Sequence, residues 1–306
     1  MSAGHGHGHG VTATGRHRGK LTAVMTISTG IAVLEVVGAL VSGSLVLFAD
    51  AAHMAADAAG VGLSLLAAHV ATRPATDRRT FGYARAEILA ATANALLLLG
   101  MGTFIVVEAA RRLATPPAVG SGLMVIFGII ALAGNGVSVI LLRRAQTESM
   151  NARGAFLEVA SDTFGAMAVI VTGVIVATSG FTLADPIASL VVGALILPRT
   201  WRLLRDAVDV LLEASPRGID LSEVRRHMTE LDGVTDVHDL HAWTITSGLP
   251  VLSAHVVVDP GVLASGRGAA MLDTLQECLR GHFDVVHSTF QLEPTGHSDH
   301  EPSVCL

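Results

Sequence analysis

The chain alternates long apolar stretches with short polar breaks. Six stretches approach the roughly 20 residues that a helix needs to cross a bilayer. They run approximately Leu21–Val41, Leu45–Val70, Ala86–Ala110, Leu123–Leu142, Ala155–Thr178 and Leu183–Leu203, with ends fixed only to within several residues. "SGS" joins the first two as a tight hairpin, "RRLATPPAVGSG" joins the third to the fourth, and "SGFT" joins the fifth to the sixth. Six membrane helices are therefore predicted.

From about Asp206 the pattern becomes that of a small soluble domain. "DLSEVRRHMTEL" has helical apolar spacing behind an N-cap at Asp220. "VTDVHDLHAWTI" and "VLSAHVVV" are rich in β-branched residues and are split by the turn "TSGLP". "GAAMLDTLQECLRGHF" reads as a second helix and "VVHSTFQLE" as a last strand. The order α-β-β-α-β describes a compact α+β unit. The predicted organisation is a His-rich tail over residues 1–20, a six-span domain over 21–205, a soluble domain over 206–294 and a polar tail over 295–306.

Composition supports this division. Of the 306 residues 51% are hydrophobic and only 15% charged, with mean hydropathy +0.56. Soluble domains carry about 25% charged residues, so a polytopic membrane protein is expected. The net charge of −6 argues against a nucleic-acid partner. Two cysteines, Cys278 and Cys305, cannot build a disulfide framework and point to a reducing location for the C-terminal part. The first 20 residues contain no apolar core of a secretory signal.

Arginine placement orients the spans. Arg16, Arg18 and Lys20 precede the first; Arg73, Arg78 and Arg79 lie between the second and third. Arg143, Arg144 and Arg153 lie between the fourth and fifth, and Arg199, Arg202 and Arg205 follow the sixth. The other side has only Arg111 and Arg112. The excess of basic residues on one side predicts both termini in the cytoplasm of a multi-pass cell-membrane protein.

The candidate chemistry lies inside the spans, where an ionisable side chain costs at least about 2.5–3.5 kcal/mol. The second span carries His53 and Asp57, and the fifth carries Glu158 and Asp162. Each pair is spaced i, i+4 and shares one helix face. Two such helices could supply one nitrogen and three oxygen ligands, a set that suits a divalent transition metal such as zinc. A structural cluster would instead bury three carboxylates with no basic partner in these spans, and their repulsion would favour protonated forms. A metal that exchanges with protons resolves the conflict, which is the logic of a proton-coupled metal carrier.

"SGSLVLFADAAHMAAD", "RRTFGYARAEILAA" (Arg78–Ala91), "ADPIASLVVGALIL" (Ala184–Leu197), "VHDLHAWTITSG" and "LSAHVVV" occur in that order. Together they resemble the cation diffusion facilitator family, exporters of zinc and related divalent metals, from about Leu21 to Glu293. The resemblance implies six spans per protomer, a homodimer, a ferredoxin-like cytoplasmic domain and alternating access driven by proton antiport. It also implies a metal held between the second and fifth spans. Zinc members of that family carry histidine where this chain has Glu158. The site becomes harder and more anionic, which favours oxygen-preferring ions, although the Irving–Williams order keeps zinc the first expectation over cobalt, cadmium, iron or manganese.

The soluble domain offers His238, His255 and His287 as a second metal site, which the resemblance would put at the dimer interface, with Glu293 a further member. Thr289 stands where relatives have an acidic residue. His238 and His241 are expected to face opposite ways along their strand. His241 could simply pack beside Trp243. His5, His7 and His9 alternate with glycine as a candidate metal-capture tail, and His297, His300 and Cys305 could act similarly at the other end. Asp50 reads either as a proton or ion relay at the rim of the membrane site or as a solvated helix-end residue. Arg85 and Glu87 are expected to pair near the membrane face. Asn135 is expected to bond a neighbouring helix, and Asp185 to cap the sixth span.

No organic cofactor is expected and no enzyme. A membrane metalloprotease would want His-Glu-x-x-His beside an open coordination position, and the sequence has none. A membrane metal sensor would explain the histidines from His238 onward but not the paired ligands of the second and fifth spans. The partners expected are divalent metal ions, protons, the lipid bilayer and a second copy of the chain.

Overall fold

The computed structural model describes residues 13–147, 150–285, 287–297 and 300. Six helices are long and apolar enough to cross a membrane. They are α1 (Ala13–Ser42), α2 (Leu45–Ala71), α3 (Ala86–Ala114), α4 (Ser121–Leu142), α5 (Met150–Ser179) and α6 (Ala184–Leu211). Four exceed the expected spans by several residues at one end or both, because polar and basic residues continue a helix once it leaves the apolar run. The chain divides into two compact units, one formed by the segments Met1–Leu63 and Ala93–Arg202, the other by Ser64–Thr92 and Leu203–Leu306.

Within the first unit, α1, α4 and α5 pack closely. Small residues permit the approach: a Cβ on Gly134 would meet Ile31, and one on Gly128 would meet Ile170. Ile31, Met54, Ala131 and Ala166 fill one buried cluster among α1, α2, α4 and α5. Leu47, Met124 and Val169 fill a second. Ala49, Ala52 and Ile105 bind α2 to α3.

The α1–α2 hairpin turns at Gly43, whose φ of 69° lies in the left-handed region that glycine occupies without penalty. Ser44 Oγ accepts from the Leu47 amide at 3.2 Å and so caps α2. Asp185 was expected to cap its own helix, α6. It instead accepts from Ser44 Oγ at 2.6 Å, from the Leu45 amide at 2.9 Å and from the Val46 amide at 3.2 Å. Its carboxylate thus offsets the amide-rich start of α2, together with the Ser44 hydroxyl that meets the Leu47 amide. Asn135 also departs from expectation. It is buried, and neither its Nδ2 nor its Oδ1 has a hydrogen-bond partner among the described residues.

In the second unit, α7 (Leu221–Thr229) begins at Asp220, whose side chain accepts from the Ser222 amide. The Ser222 hydroxyl also donates to it at 2.6 Å, and these bonds, the hydroxyl's first, hold the Asp220 carboxyl below the usual carboxylate range. Then come β1 (Val234–Thr244), β2 (Pro250–Val258), α8 (Pro260–Ala264), α9 (Gly268–Phe283) and β3 (His287–Pro294). The single turn of α8 is an addition to the predicted order; Pro260 starts it, with its ring set for the first helical position. The sheet order is β1-β2-β3, with β1 antiparallel and β3 parallel to β2. One sheet face covers Val224, Met228, Leu275 and Leu279 of the helices to form the core. The domain is therefore the α+β unit expected, one face packed and the other free for polar side chains.

The segment between α2 and α3 belongs to this unit as well. Arg85 and Glu87 do not pair with each other. Arg85 donates to Glu213 at 2.7 Å, while Glu87 accepts from Thr246 Oγ1 at 2.6 Å and Ser247 Oγ at 3.0 Å. The turn after β1 thus meets the start of α3 through hydroxyl–carboxylate bonds.

Candidate metal centres

The membrane centre is built by two helices. One turn of α2 separates His53 from Asp57, and His53 Nε2 lies 3.4 Å from Asp57 Oδ2. One turn of α5 separates Glu158 from Asp162. Ligand atoms of His53, Asp57 and Asp162 all lie within 4.8 Å of one another. His53 Nδ1 and Asp162 Oδ1 are buried without a hydrogen-bond partner. Two vacant ligand-type atoms beside a carboxylate are costly unless a cation or a proton is there to meet them.

Glu158 stands outside that close triplet but faces it. It lines a cavity of about 540 Å³ together with His53, Asp57, Asn94, Ser161 and Arg199. It also lines a smaller pocket, about 100 Å³, with Ser28, Asp57 and Asp162. Asp57 and Glu158 therefore line both spaces, His53 only the larger and Asp162 only the smaller.

Two residues at this centre were missed by sequence reasoning. Arg199 was read only as one of the arginines that orient the sixth span, and the carboxylates were expected to lack a basic partner. In the structure Arg199 lies on α6 and on the cavity wall, and its charge acts on both Asp57 and Glu158. The second is Glu35, in the middle of α1, with 1% exposure and both carboxyl oxygens without a donor. Its neighbour is Asp50, itself only 7% exposed, and therefore not a solvated helix-end residue. Two carboxyls in contact share a hydrogen bond only when one carries a proton. Gly165 on α5 leaves the room for this arrangement, since a Cβ there would collide with the Asp50 carboxylate. The signal for Glu35 was present in the sequence: an ionisable residue within a span.

The soluble-domain centre occupies the sheet face opposite the core. His238 on β1 pairs with His255 on β2, their rings 5.2 Å apart. Glu293 on β3 reaches both: its Oε2 lies 3.1 Å from His238 Nε2 and its Oε1 2.8 Å from His255 Nδ1. Glu293 is 1% exposed, and Gln291 Nε2 donates to it at 2.9 Å. Ligand atoms of His238, His255 and Glu293 lie within 4.8 Å of one another.

His287, expected in this set, is not brought to it within the chain. It begins β3 opposite Val251, and its ring meets the edge of Phe81 at 5.8 Å. Glu293, the lesser expectation, is the member that joins the histidines. The predicted opposition of His238 and His241 fails for a local reason. The register slips between them: His238 lies opposite His255 and His241 opposite Ser253, so one extra residue enters β1 and both side chains take the same face. The slip is made at Asp239, whose φ is 47°. Asp239 then accepts from His241 Nε2 at 2.8 Å and stands 3.7 Å from His255 Nε2. The bond to His241 holds the Asp239 carboxyl below its usual range. Asp239 was not singled out from sequence because strand parity alone gave no reason to look at it.

Cys278 is a free, half-buried thiol whose pKa is pushed up by burial, which makes it a poor candidate ligand. His297 and His300 follow β3 and belong to neither close ligand group found among the described residues. His5, His7, His9 and Cys305 lie outside the described residues.

Residues 21–212 match a family model described as the cation efflux transmembrane domain, and residues 216–295 match that of the cation efflux protein cytoplasmic domain. The chain is 39% identical over 293 residues to the metal cation efflux system protein CzcD of Cupriavidus metallidurans, covering 96% of this chain and 90% of that one. It is 39% identical over 269 residues to the zinc transporter ZitB of Escherichia coli, 87% of this chain and 84% of that one. It is 35% identical over 279 residues to a cadmium, cobalt and zinc/H(+)-K(+) antiporter of Bacillus velezensis, 90% of this chain and 88% of that one.

Proposed function

The chain belongs to the cation efflux family, and from that premise we propose that it carries a divalent metal ion, zinc first, out of the cytoplasm in exchange for protons. The observation that supports this most is the pairing of two half-sites. Ligand atoms of His53 and Asp57 on α2 and Asp162 on α5 converge within 4.8 Å, with two of their atoms unpartnered among the described residues and a cavity beside them. Glu158 completes the set from one turn along α5.

His53 supplies a neutral nitrogen, and the three carboxylates supply charged oxygen. Ligands must be deprotonated to hold the ion, so metal and protons compete for the same atoms. Protons arriving from a more acidic outer side expel the ion, and the emptied ligands release those protons inward. Basic residues gather at the ends of α2, α4 and α6 in the sequence, which supports a cytoplasmic opening for the cavity that contains Asp57 and Glu158. The similarity to a zinc transporter and to a cadmium, cobalt and zinc/H(+)-K(+) antiporter supports zinc, cadmium and cobalt as cargo and proton exchange as the drive.

The soluble domain is proposed to dimerise the chain and to hold a resident metal through His238, His255 and Glu293. The donor set fits: two imidazoles and a buried carboxylate already stand within coordination reach of a common point. Such an ion would brace β1, β2 and β3 together.

Proteoliposomes carrying a metal-sensitive dye and a pH dye test the reading. Metal flux with opposed proton flow is expected, with zinc preferred in competition against cobalt, cadmium, iron and manganese. Metal binding without flux would overturn the carrier in favour of a sensor.

A further inference from the structure

Glu158 adds a negative charge that a histidine in its place would not. As ionised ligands, Asp57, Glu158 and Asp162 carry three negative charges around a divalent ion, and the loaded centre is then one charge short of neutral. An uncompensated charge inside a membrane domain is expensive. Arg199 is the cation of opposite sign on the same cavity wall. It is the wall residue of α6, one position beyond Pro198, and its field reaches Asp57 and Glu158.

We propose that Arg199 is a tethered counter-cation of the transport centre, matched to Glu158, and that it sets how tightly the metal is held. This rests on the transport-site reading above and adds a residue to it. The side chain balances the charge of the loaded centre. In the empty centre it turns toward Glu158 and Asp57, and an arriving ion must displace it. The guanidinium serves because it remains charged at every relevant pH and is less strongly hydrated than an ammonium. With the guanidinium held beside the ion's place by Glu158, the two cations repel each other, so Arg199 lowers metal affinity and eases release on the far side.

The test uses the full-length chain in lipid nanodiscs, titrated with Zn²⁺ alone against a competing fluorescent chelator. R199Q is expected to tighten Zn²⁺ binding roughly five- to tenfold, because the ion no longer has to displace a guanidinium held by Glu158, and to slow efflux in vesicles. R199K, which keeps the charge, is expected to stay within about twofold of wild type. In the E158Q background R199Q is expected to change affinity by less than about twofold, because the partner that Arg199 answers is gone. R199A is made alongside R199Q so that a folding defect in one leaves the other as the test. An unchanged affinity in the folded variant, or an equal tightening with and without Glu158, overturns the pairing. D57N distinguishes the two readings. An unchanged number of Zn²⁺ ions bound by D57N would sink the transport-site assignment, whereas loss of one of the two there with no effect of R199Q sinks only the role of Arg199.

Discussion

In the membrane bundle, His53 meets Asp57 at 3.4 Å and leaves its other ring nitrogen without a partner. In the soluble domain, Glu293 meets His238 at 3.1 Å and His255 at 2.8 Å and accepts a third bond from Gln291. Both centres are made of imidazole and carboxylate. They differ in how far the protein satisfies those groups by itself. The soluble centre has a completed hydrogen-bond network on a three-stranded sheet, and such a network is stiff. The membrane centre stands between two helices, each contributing one turn, with a cavity at its side. A ligand set that the protein already satisfies has little need to exchange its ion. One left wanting can pass between metal and protons. On the proposed reading, the sheet holds its ion and the helices carry theirs.

The largest effect is expected at the membrane centre. D57A and D162A should each reduce vesicle efflux by more than the roughly 10–100-fold that loss of an outer-shell partner costs, while the protein remains folded by size-exclusion chromatography. Normal efflux by either would break the comparison at once. E293Q comes next. It leaves two histidines facing an amide in a buried place, and should cost about 1–3 kcal/mol of soluble-domain stability, read as a lower denaturant midpoint, with efflux retained. Loss of efflux with unchanged stability would reverse the roles given to the two centres. A smaller contrast separates two histidines in the same sheet. In a D57A background, H255A should remove the metal bound to the soluble domain, measured by mass spectrometry, and H287A should leave it in place. Equal loss would bring His287 into the centre.

The smallest effect concerns Asp239. Its carboxyl is held below the ordinary value of 3.8, first by the hydrogen bond from His241. The folded form therefore gains stability that is fully present above pH 3.8 and is lost as pH falls through the lower folded value. The group is well exposed, so the gain stays under about 1 kcal/mol. Thermal melts should show D239N slightly less stable than wild type at pH 6, with the difference closing on acidification below about pH 4. A gap that widens with acid would contradict the bond.

Much of this arrangement was legible along the chain. Apolar length gave the six helices, and the i, i+4 spacing of His53 with Asp57 and of Glu158 with Asp162 put the four side chains on two faces. What escaped depends on which way side chains face and how strands slip. Arg199 falls within the sixth predicted span, but arginines at the end of a span read as a topology signal and not as a cavity wall. Asp239 enters because one extra residue in β1 turns His241 to the side of His238, and period-2 reasoning has no means to see a bulge. Asp185 serves α2, 140 positions earlier at Leu45, a tertiary contact with no local signature. Glu35 is different in kind, since the cost rule applied to the other buried acids applies equally to it.

Glu35 has a consequence for how the protein is made. A carboxyl in the middle of the first apolar segment adds about 2.5–3.5 kcal/mol to the work of releasing that segment alone into lipid. Its neighbour Asp50 arrives only fifteen residues later, beyond the three-residue turn Ser42–Ser44. The economical course is for α1 to wait at the translocon until α2 emerges and for both to enter as a hairpin with their acids already facing each other. A truncated chain ending before Leu45 should then integrate less efficiently than one that includes α2, and E35L should abolish the difference in a glycosylation-mapping assay. An acid kept for the finished bundle would thereby also fix the order in which its first two helices reach the membrane.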